Sequence, residues 1–302
     1  MPRSVTFRQL EVFVAVARER TLTTAAQRLF LSKPAVSIAL GELEKQCGHA
    51  LFDRHRNRLY LNDHGRRLLP LADELLARGD VISQLFDDAA LGGHLHIGAS
   101  YTIGHQLLPW LLRAFREQTG HRQQQVTIAN SAAICHALES FDLDLGMIEG
   151  RVADERFHVI PWRHDRMLVA ASADHPLAGR QAVEIDELAE HEWLLREPGS
   201  GTREQFMRFI APRLPQWRLG LEINSAEAII NAAAVGLGLT CLSELEARHA
   251  LRDGRLVEIG LGWEMTREFS LVLHRDKYRS PLIERFLEFC RQYDDARPIG
   301  AA

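Results

Sequence analysis

LTTAAQRLFLSKPAVSIALGELEKQCGHALFDR, residues 22–54, decides how the first quarter of the chain folds. Thr23 or Thr24 opens a short helix carrying Ala25, Ala26 and Leu29, and Phe30 and Leu31 make a tight link. Ser32 is placed to cap the next helix. Pro34 falls in its first turn, where an amide has no helical partner. That helix carries Val36, Leu40 and Leu43 on one face to about Gln46, and Gly48 can end it. Upstream, FRQLEVFVAVAR (7–18) sets Phe7, Leu10, Phe13, Val14 and Ala17 three and four residues apart, one apolar helical face. Small Ala25 and Ala26 allow the helices to pack closely.

Two short helices joined by a tight turn describe a helix-turn-helix, whose second helix enters the major groove by its N-terminal end. Thr23, Ser32, Lys33, Pro34 and Ser37 are the candidate DNA contacts, with Ile38 on the same face. In LFDRHRNRLYL (51–61), Arg54, Arg56 and Arg58 alternate, which suits a strand with one basic face. Such a wing touches phosphates or the minor groove. Residues 1–70 hold 12 Lys/Arg against 6 Asp/Glu, hence +6; the chain carries −4, so the remainder carries −10. A basic head on an acidic body fits a polyanionic partner. The same side chains also read as ordinary solvated charge, and the motif is what separates the two readings.

LTTAAQRLFLSKPAVSIALGELEKQCGHALFDR followed by LNDHGRRLLP closely resembles the head of LysR-type transcriptional regulators, across residues 6–70 almost without gaps. Ile38 departs from the pattern, standing where many members carry a polar or basic residue. The resemblance implies binding to double-stranded operator DNA and contact with RNA polymerase.

Asn62 can cap a helix running to about Asp87. Leu68, Ala72, Leu75, Gly79, Ile82 and Phe86 step four, three, four, three, four, a heptad-like seam, which Gly79 and Pro70 weaken; Pro70 is expected to bend the first turns. A helix of a second chain, or the protein's own following domain, would cover that stripe. In LysR-type regulators this helix pairs two chains, and two dimers commonly form a tetramer.

Gly92-Gly93 reads as a hinge, after which strands and helices alternate. Strands are expected at 95–99, 126–129, 143–148, 167–172, 192–195, 219–223, 239–242 and 269–273. Helices are expected at 103–118, 132–140, 202–210, 226–234 and 281–292. Alternation of this kind argues for parallel sheets with helices on both faces. The whole is α+β: a winged helix-turn-helix (1–62), a long linker helix (63–91) and an α/β sensor (92–302). LysR-type sensors resemble periplasmic binding proteins, which implies two lobes, about 92–163 with 269–302, and about 164–268.

Ligands of such sheets sit in the crevice at the carboxyl ends of strands. Three stretches fall there: Ser100-Tyr101-Thr102-Ile103-Gly104, Glu149-Gly150, and Arg196-Glu197-Pro198-Gly199-Ser200-Gly201-Thr202-Arg203. Hydroxyls and free amides before two helices suit a small oxyanion. Ser100, Thr102, Ser200 and Thr202 are equally readable as caps. The effector candidates are Ser100, Tyr101, Thr102, His105, Glu149, Arg196, Glu197, Gly199, Ser200, Gly201 and Thr202. REPGSGTRE, with TIG, IEG and GLGLTCLS around it, resembles the LysR subgroup that contains sulfite-responsive regulators, which implies sulfite or another small oxyanion. Glu149 and Glu197 oppose an anion unless they are protonated, pair with Arg196 or Arg203, or point away. Alternatively the ligand carries a donor or cationic group. Tyr101 narrows the pocket, and His105 can donate to an anion or simply be solvated.

No run of 18 apolar residues and no signal-peptide core is present, so no membrane partner is expected. Cys47, Cys135, Cys241 and Cys290 are too scattered for a disulfide or zinc framework, which suits a reducing cytoplasm. Gly199-Ser200-Gly201 is not a nucleophile elbow, and His94 and His96 alone seldom make a metal site. No cofactor motif and no enzyme constellation stands out. The rivals are a regulator of this class answering a carboxylate or redox metabolite, or a solute-binding protein or enzyme with an accessory head.

Overall fold

Thr6 sets where the first helix starts. Its Oγ1 accepts the Gln9 amide at 3.2 Å while Gln9 Oε1 accepts the Thr6 amide at 2.9 Å, a reciprocal cap. In the computed structural model, which describes residues 5–56, 58–83, 93–180 and 182–293, α1 (Phe7–Glu19) follows and Arg20, in the left-handed region at φ 57°, ends it. Next is α2 (Leu22–Arg28), one residue earlier than expected, because Thr21 Oγ1 takes the Thr24 amide. Then α3 (Lys33–Cys47) is capped by Ser32 and closed by Gly48 at φ 74°. Ala25 and Ala26 are buried, which lets α1 and α3 close over α2 around Phe13, Val16, Val36 and Leu43.

The basic wing differs from its expectation. It is a hairpin of β1 (Phe52–His55) and β2 (Arg58–Leu61), paired Arg54↔Leu59 and His55↔Arg58. Arg54 therefore points with Phe52, and Arg58 to the opposite face. Arg56 stands in the turn at φ 45°. The three arginines fan around a tip instead of lining one strand. Arg20 O accepts the Leu59 amide at 2.8 Å and fixes the hairpin to α1.

α4 (Asp63–Ser83) starts on Asn62, whose Oδ1 takes the Gly65 amide at 3.0 Å, and runs through Pro70. The expected end near Asp87, Phe86 of the seam and Gly92 lie outside the described residues. The seam is also divided. Leu68, Leu69, Ala72 and Leu76 turn into the head core. Gly79 lies against Phe7, whose Cε1 would be 2.6 Å from a Cβ there. Leu71, Leu75 and Ile82 remain exposed.

The remaining chain builds one nine-stranded sheet. Its first unit is β4 (Gln124–Ala129), β3 (Leu95–Ser100) and β5 (Leu145–Glu149), all parallel. Its other end is β9 (Leu239–Ser243), β7 (Glu192–Leu195) and β8 (Arg218–Glu222), again parallel. Between them run β11 (Met265–His274) and the long β6 (Phe157–Ser172), antiparallel to each other and to their neighbours, with β10 (Leu256–Ile259) on β6. The expectation of parallel pairing thus holds for the two ends and fails for the middle, where only the second parts of β6 and β11 were foreseen.

Helices cover both faces. α5 (Tyr101–Gln106), α6 (Leu108–Thr119) and α11 (Pro281–Gln292) pack on Ile97, Leu145 and Leu271. α7 (Ser131–Glu139) packs opposite through Ile134 and Leu138, close enough that a Cβ on Gly98 would lie 2.9 Å from Ile134. The single helix expected at 103–118 breaks at Leu107, because Pro109 cannot continue the amide ladder of α5. In the second unit, α8 (Gly201–Gln205) widens into a π-type turn over Phe206–Ile210, and α9 (Ala226–Ala234) and α10 (Glu244–Arg252) follow; α10 and β10 were not foreseen. Each fully buried Leu or Phe contributes about 1.5–3 kcal/mol. Those contributions gather in separate cores for the two units.

Head and sheet meet through a buried ionic bridge. Lys277 Nζ lies 2.8 Å from Asp73 of α4 and 2.9 Å from Asp144 before β5. Asp144 also accepts the His96 amide at 2.7 Å. Arg18 of α1 reaches Asp73 at 3.3 Å and donates to the Phe141 carbonyl. Burial would lower the Lys277 ammonium, but Asp144 and Asp73 hold it above the ordinary lysine range.

Candidate functional site

At the head, Thr23, Ser32, Lys33, Pro34, Ser37 and Ile38 are all exposed, the last five at the N-terminal end of α3. Ser32 Oγ accepts the Ala35 amide at 3.3 Å and so acts as the cap. Arg54, Arg56 and Arg58 are exposed on the hairpin.

The second candidate site lies where the two sheet units meet. Ser100 ends β3, Glu149 ends β5, and Arg196 to Thr202 lead from β7 into α8. The parallel strands of one unit run opposite to those of the other, so their carboxyl ends meet at the waist. A residue the sequence did not mark organises them. Arg267, on β11 and 2% exposed, donates to Thr102 Oγ1 at 3.0 Å, to Thr202 Oγ1 at 3.2 Å and to Asp165 at 2.8 Å. Thr202 in turn donates to Glu149 Oε1 at 3.4 Å. One guanidinium therefore ties a threonine of each unit to the crossing strands. Burial opposes its charge, but Glu149, Asp165 and Glu246 together raise its pKa. Burial pushes the Asp165 carboxyl up, and Arg267 pulls it back in part.

Arg196, also buried, forms a two-point pair with Glu197 at 2.8 and 3.0 Å and lies 4.6 Å from the centre of the Tyr101 ring. Burial would raise Glu197, but bonds from Arg196 and Asn130 leave its carboxyl below the usual range. Glu197 is thus held by a cation and does not face the cleft unpaired. Arg203 instead pairs with Glu222 and the Arg196 carbonyl.

The serines differ from simple caps. Ser100 and Ser200 precede α5 and α8, yet neither side chain bonds a helix amide. Both hydroxyls are buried without a partner, as is Arg196 Nη1. Buried polar groups are normally satisfied, so three orphan groups able to donate in one cleft mark a place for acceptors. Glu149 Oε2 also lacks a hydrogen bond, although Arg267 Nη1 is 3.5 Å away. Glu246, on α10, is buried; the Thr102 hydroxyl faces it, but neither oxygen meets a donor in good hydrogen-bond geometry. Burial and Glu149 raise its pKa to about 7 against the pull of Arg267 and Arg196.

The remaining candidates border this cluster. His105 is exposed and meets Tyr101 edge-on at 5.8 Å. Gly199, at φ 86°, is exposed, and its carbonyl takes the Ala132 amide at 3.2 Å. Gly201 is buried against Glu149, where a Cβ would lie 2.4 Å from the Glu149 carbonyl oxygen. Arg267 could have been found: Met265, Arg267, Phe269, Leu271 and Leu273 alternate, and the arginine occupies an inward position. Glu246 carries no such signal, since its helix was not read.

The cysteines offer no activated thiol among the described residues. Burial raises Cys241 to about 12 and Cys135 to about 11. No described helix is long and apolar enough to cross a membrane.

A basic helix-turn-helix joined to a sheet whose waist holds an incomplete polar cluster defines a DNA-binding regulator with an effector domain. The chain belongs to the LysR family of bacterial transcriptional regulators and is not an enzyme: residues 7–66 match the bacterial regulatory helix-turn-helix protein of the lysR family, and 88–295 match the LysR substrate binding domain. It is 38% identical over 287 residues to the HTH-type transcriptional regulator YeiE of Escherichia coli (strain K12), covering 95% of this chain and 97% of that one. Among solved structures, full-length OxyR of Pseudomonas aeruginosa superposes with TM-score 0.76 at 23% identity over 98% of this chain and 97% of that one. The effector binding domain of QuiR in complex with shikimate gives TM-score 0.59 at 19% identity over 67% of this chain and 96% of that one. These two likenesses show the fold.

Proposed function

We propose that the protein reads operator DNA under the control of a small oxyanion, sulfite or a close relative, held between two periplasmic-binding-protein-like lobes at about 92–163 with 269–302 and about 164–268. The carrying observation is the set of buried, unpartnered Ser100 Oγ, Ser200 Oγ and Arg196 Nη1 at the junction of the units. A ligand oxygen meeting them recovers hydrogen bonds whose absence costs about 1–3 kcal/mol each. Thr102 and Thr202 hold the two walls together through Arg267, and Tyr101, Glu149, Glu197 and the Gly199–Gly201 turn shape the cleft. Both helices that follow the serines are short, so side chains and not helix dipoles carry the recognition.

In this reading Ser32, Lys33, Pro34, Ser37 and Thr23 meet the major groove while Arg54, Arg56 and Arg58 meet phosphates or the minor groove. The exposed stripe Leu71, Leu75 and Ile82 pairs two chains, and the apolar sheet edges at Val126 and Ile128 and at Leu219 and Leu221 support a dimer of dimers. Ligand binding changes the angle between lobes, hence the spacing of bound heads and their contact with RNA polymerase, in the cytoplasm where the operator lies. Isothermal titration of the full chain with sulfite, against sulfate, thiosulfate and acetate, tests the effector. Saturable binding lost in Ser100→Ala/Ser200→Ala with the fold intact is expected, and absence of heat with every anion removes the oxyanion reading. A carboxylate is the second reading, because the QuiR domain is in complex with shikimate, and acetate is its arm of the test.

A further inference from the structure

Glu246 sits in the first turn of α10, a helix of the second unit whose Leu245 packs into the core of the first. Its carboxyl is therefore sealed between the units. The charged groups facing it are Glu149 of β5, Arg267 of β11 and Arg196 after β7, and Asp165 of β6 stands behind Arg267. Arg196 is engaged by Glu197, and Arg267 by Asp165 and both threonines. Neither arginine donates to Glu246; the Thr102 hydroxyl faces it and favours its charged form, yet neither oxygen meets a donor in good hydrogen-bond geometry.

Either charge state of Glu246 is incomplete. Ionised, it is a buried charge supported only by the Thr102 hydroxyl and paired with no cation; neutral, its O–H meets no carboxylate or carbonyl in hydrogen-bond geometry. Arg196, whose Nη1 is orphaned, faces it, and Ser100, also orphaned, precedes α5, on which α10 packs. An anion drawn to them approaches Glu149 and Glu246 and meets like charge. A proton placed between Glu246 and the anion removes that repulsion and completes the carboxyl.

We propose that the cleft binds its oxyanion together with one proton, shared between Glu246 and a ligand oxygen, so that Glu246 selects oxyanions able to accept a carboxyl proton or carrying a hydroxyl to donate. The inference rests on the oxyanion reading above. No covalent bond changes: an ionised Glu246, an anion and a solvent proton become one hydrogen-bonded pair. The free carboxyl titrates about pH 7, so binding at pH 8 draws the proton from solvent. Affinity then falls about tenfold per pH unit above that point.

The test is calorimetric titration of the full chain at pH 8 with sulfite, sulfate, thiosulfate and acetate, in two buffers of different ionisation heat. In the wild type the number of protons taken up approaches one. In Glu246→Gln, whose amide donates without titrating, binding persists, and uptake falls by about one proton for the same anion. The wild-type proton count needs no variant, and a thermal melt shows whether the variant is folded. Saturable binding with no proton uptake in the wild type overturns the role of Glu246 and leaves the oxyanion site standing. No saturable binding of any anion overturns the oxyanion reading, and this inference with it.

Discussion

Two buried polar clusters, the Lys277 bridge and the cleft around Arg267, use the same residue types to different ends. In the bridge the cation faces two carboxylates at 2.8 and 2.9 Å, and Asp144 also holds the His96 amide. In the cleft Arg267 is similarly engaged, yet Ser100, Ser200, Arg196 and Glu246 around it keep atoms without partners. A matched cluster in the interior holds parts together; an unmatched one implies a missing member.

Removing the bridge cation should give the largest effect. Lys277→Met leaves Asp73 with Arg18 alone and Asp144 with the His96 amide, and breaking a buried pair in this way costs about 3–5 kcal/mol, read by urea denaturation at pH 7; a loss under about 1 kcal/mol would make the bridge a surface-type pair. Because the ammonium is raised in the fold, its contribution is present below the ordinary lysine pKa and is lost as pH climbs through the folded value, so alkaline melts should show it.

Glu246 behaves in the same sense at lower pH. Its folded pKa of about 7 lies above the ordinary 4.5, so the native state keeps a proton that the unfolded chain has released. Stability therefore falls between those pH values and levels off beyond them. Melts of the wild type relative to Glu246→Gln should diverge across that window, the wild type losing stability as pH rises; parallel curves would mean an ordinary carboxyl.

Ser280 sharpens the contrast between cap and ligand group. Its Oγ takes the Ile283 amide at 3.3 Å, so Ser280→Ala should cost about 1 kcal/mol. Ser100→Ala and Ser200→Ala should each stay within about 0.5 kcal/mol, and an equal loss at all three would return the cleft serines to capping. On DNA, Lys33→Ala and Arg54→Ala should each reduce the slope of log affinity against log salt by about 0.9, and an unchanged slope would remove that side chain from the phosphate contacts.

Local features were the legible ones. Ser32, Gly48, Asn62 and Pro281 each mark an end through their own backbone or cap, and the ends they mark were read to within a residue or two. The wing misled because Arg54, Arg56 and Arg58 keep the alternation of a strand across a reversal between His55 and Arg58. Ser100, Thr102, Glu149, Arg196, Ser200 and Thr202 were legible as strand ends before helices. Arg267 and Glu246 arrive from strands and helices far along the chain. What makes them part of the cleft is pairing between β11 and β6 and the packing of α10 on α5, which no local spacing encodes.

The paired strands β6 and β11 have one more consequence. They run side by side from Met265↔Met167 to His274↔Phe157, and the register slips once, between Phe269 and Ser270. Sliding one unit past the other would break every rung of that ladder, whereas tilting strains chiefly the slipped step. For the lobe motion proposed above, the straps favour a rotation over a slide. Lys277 bolts the first unit to α4 of the head, so in that reading the second unit is the lever arm, and a change at the serines is read out at its far edge, where Leu219 and Leu221 lie exposed.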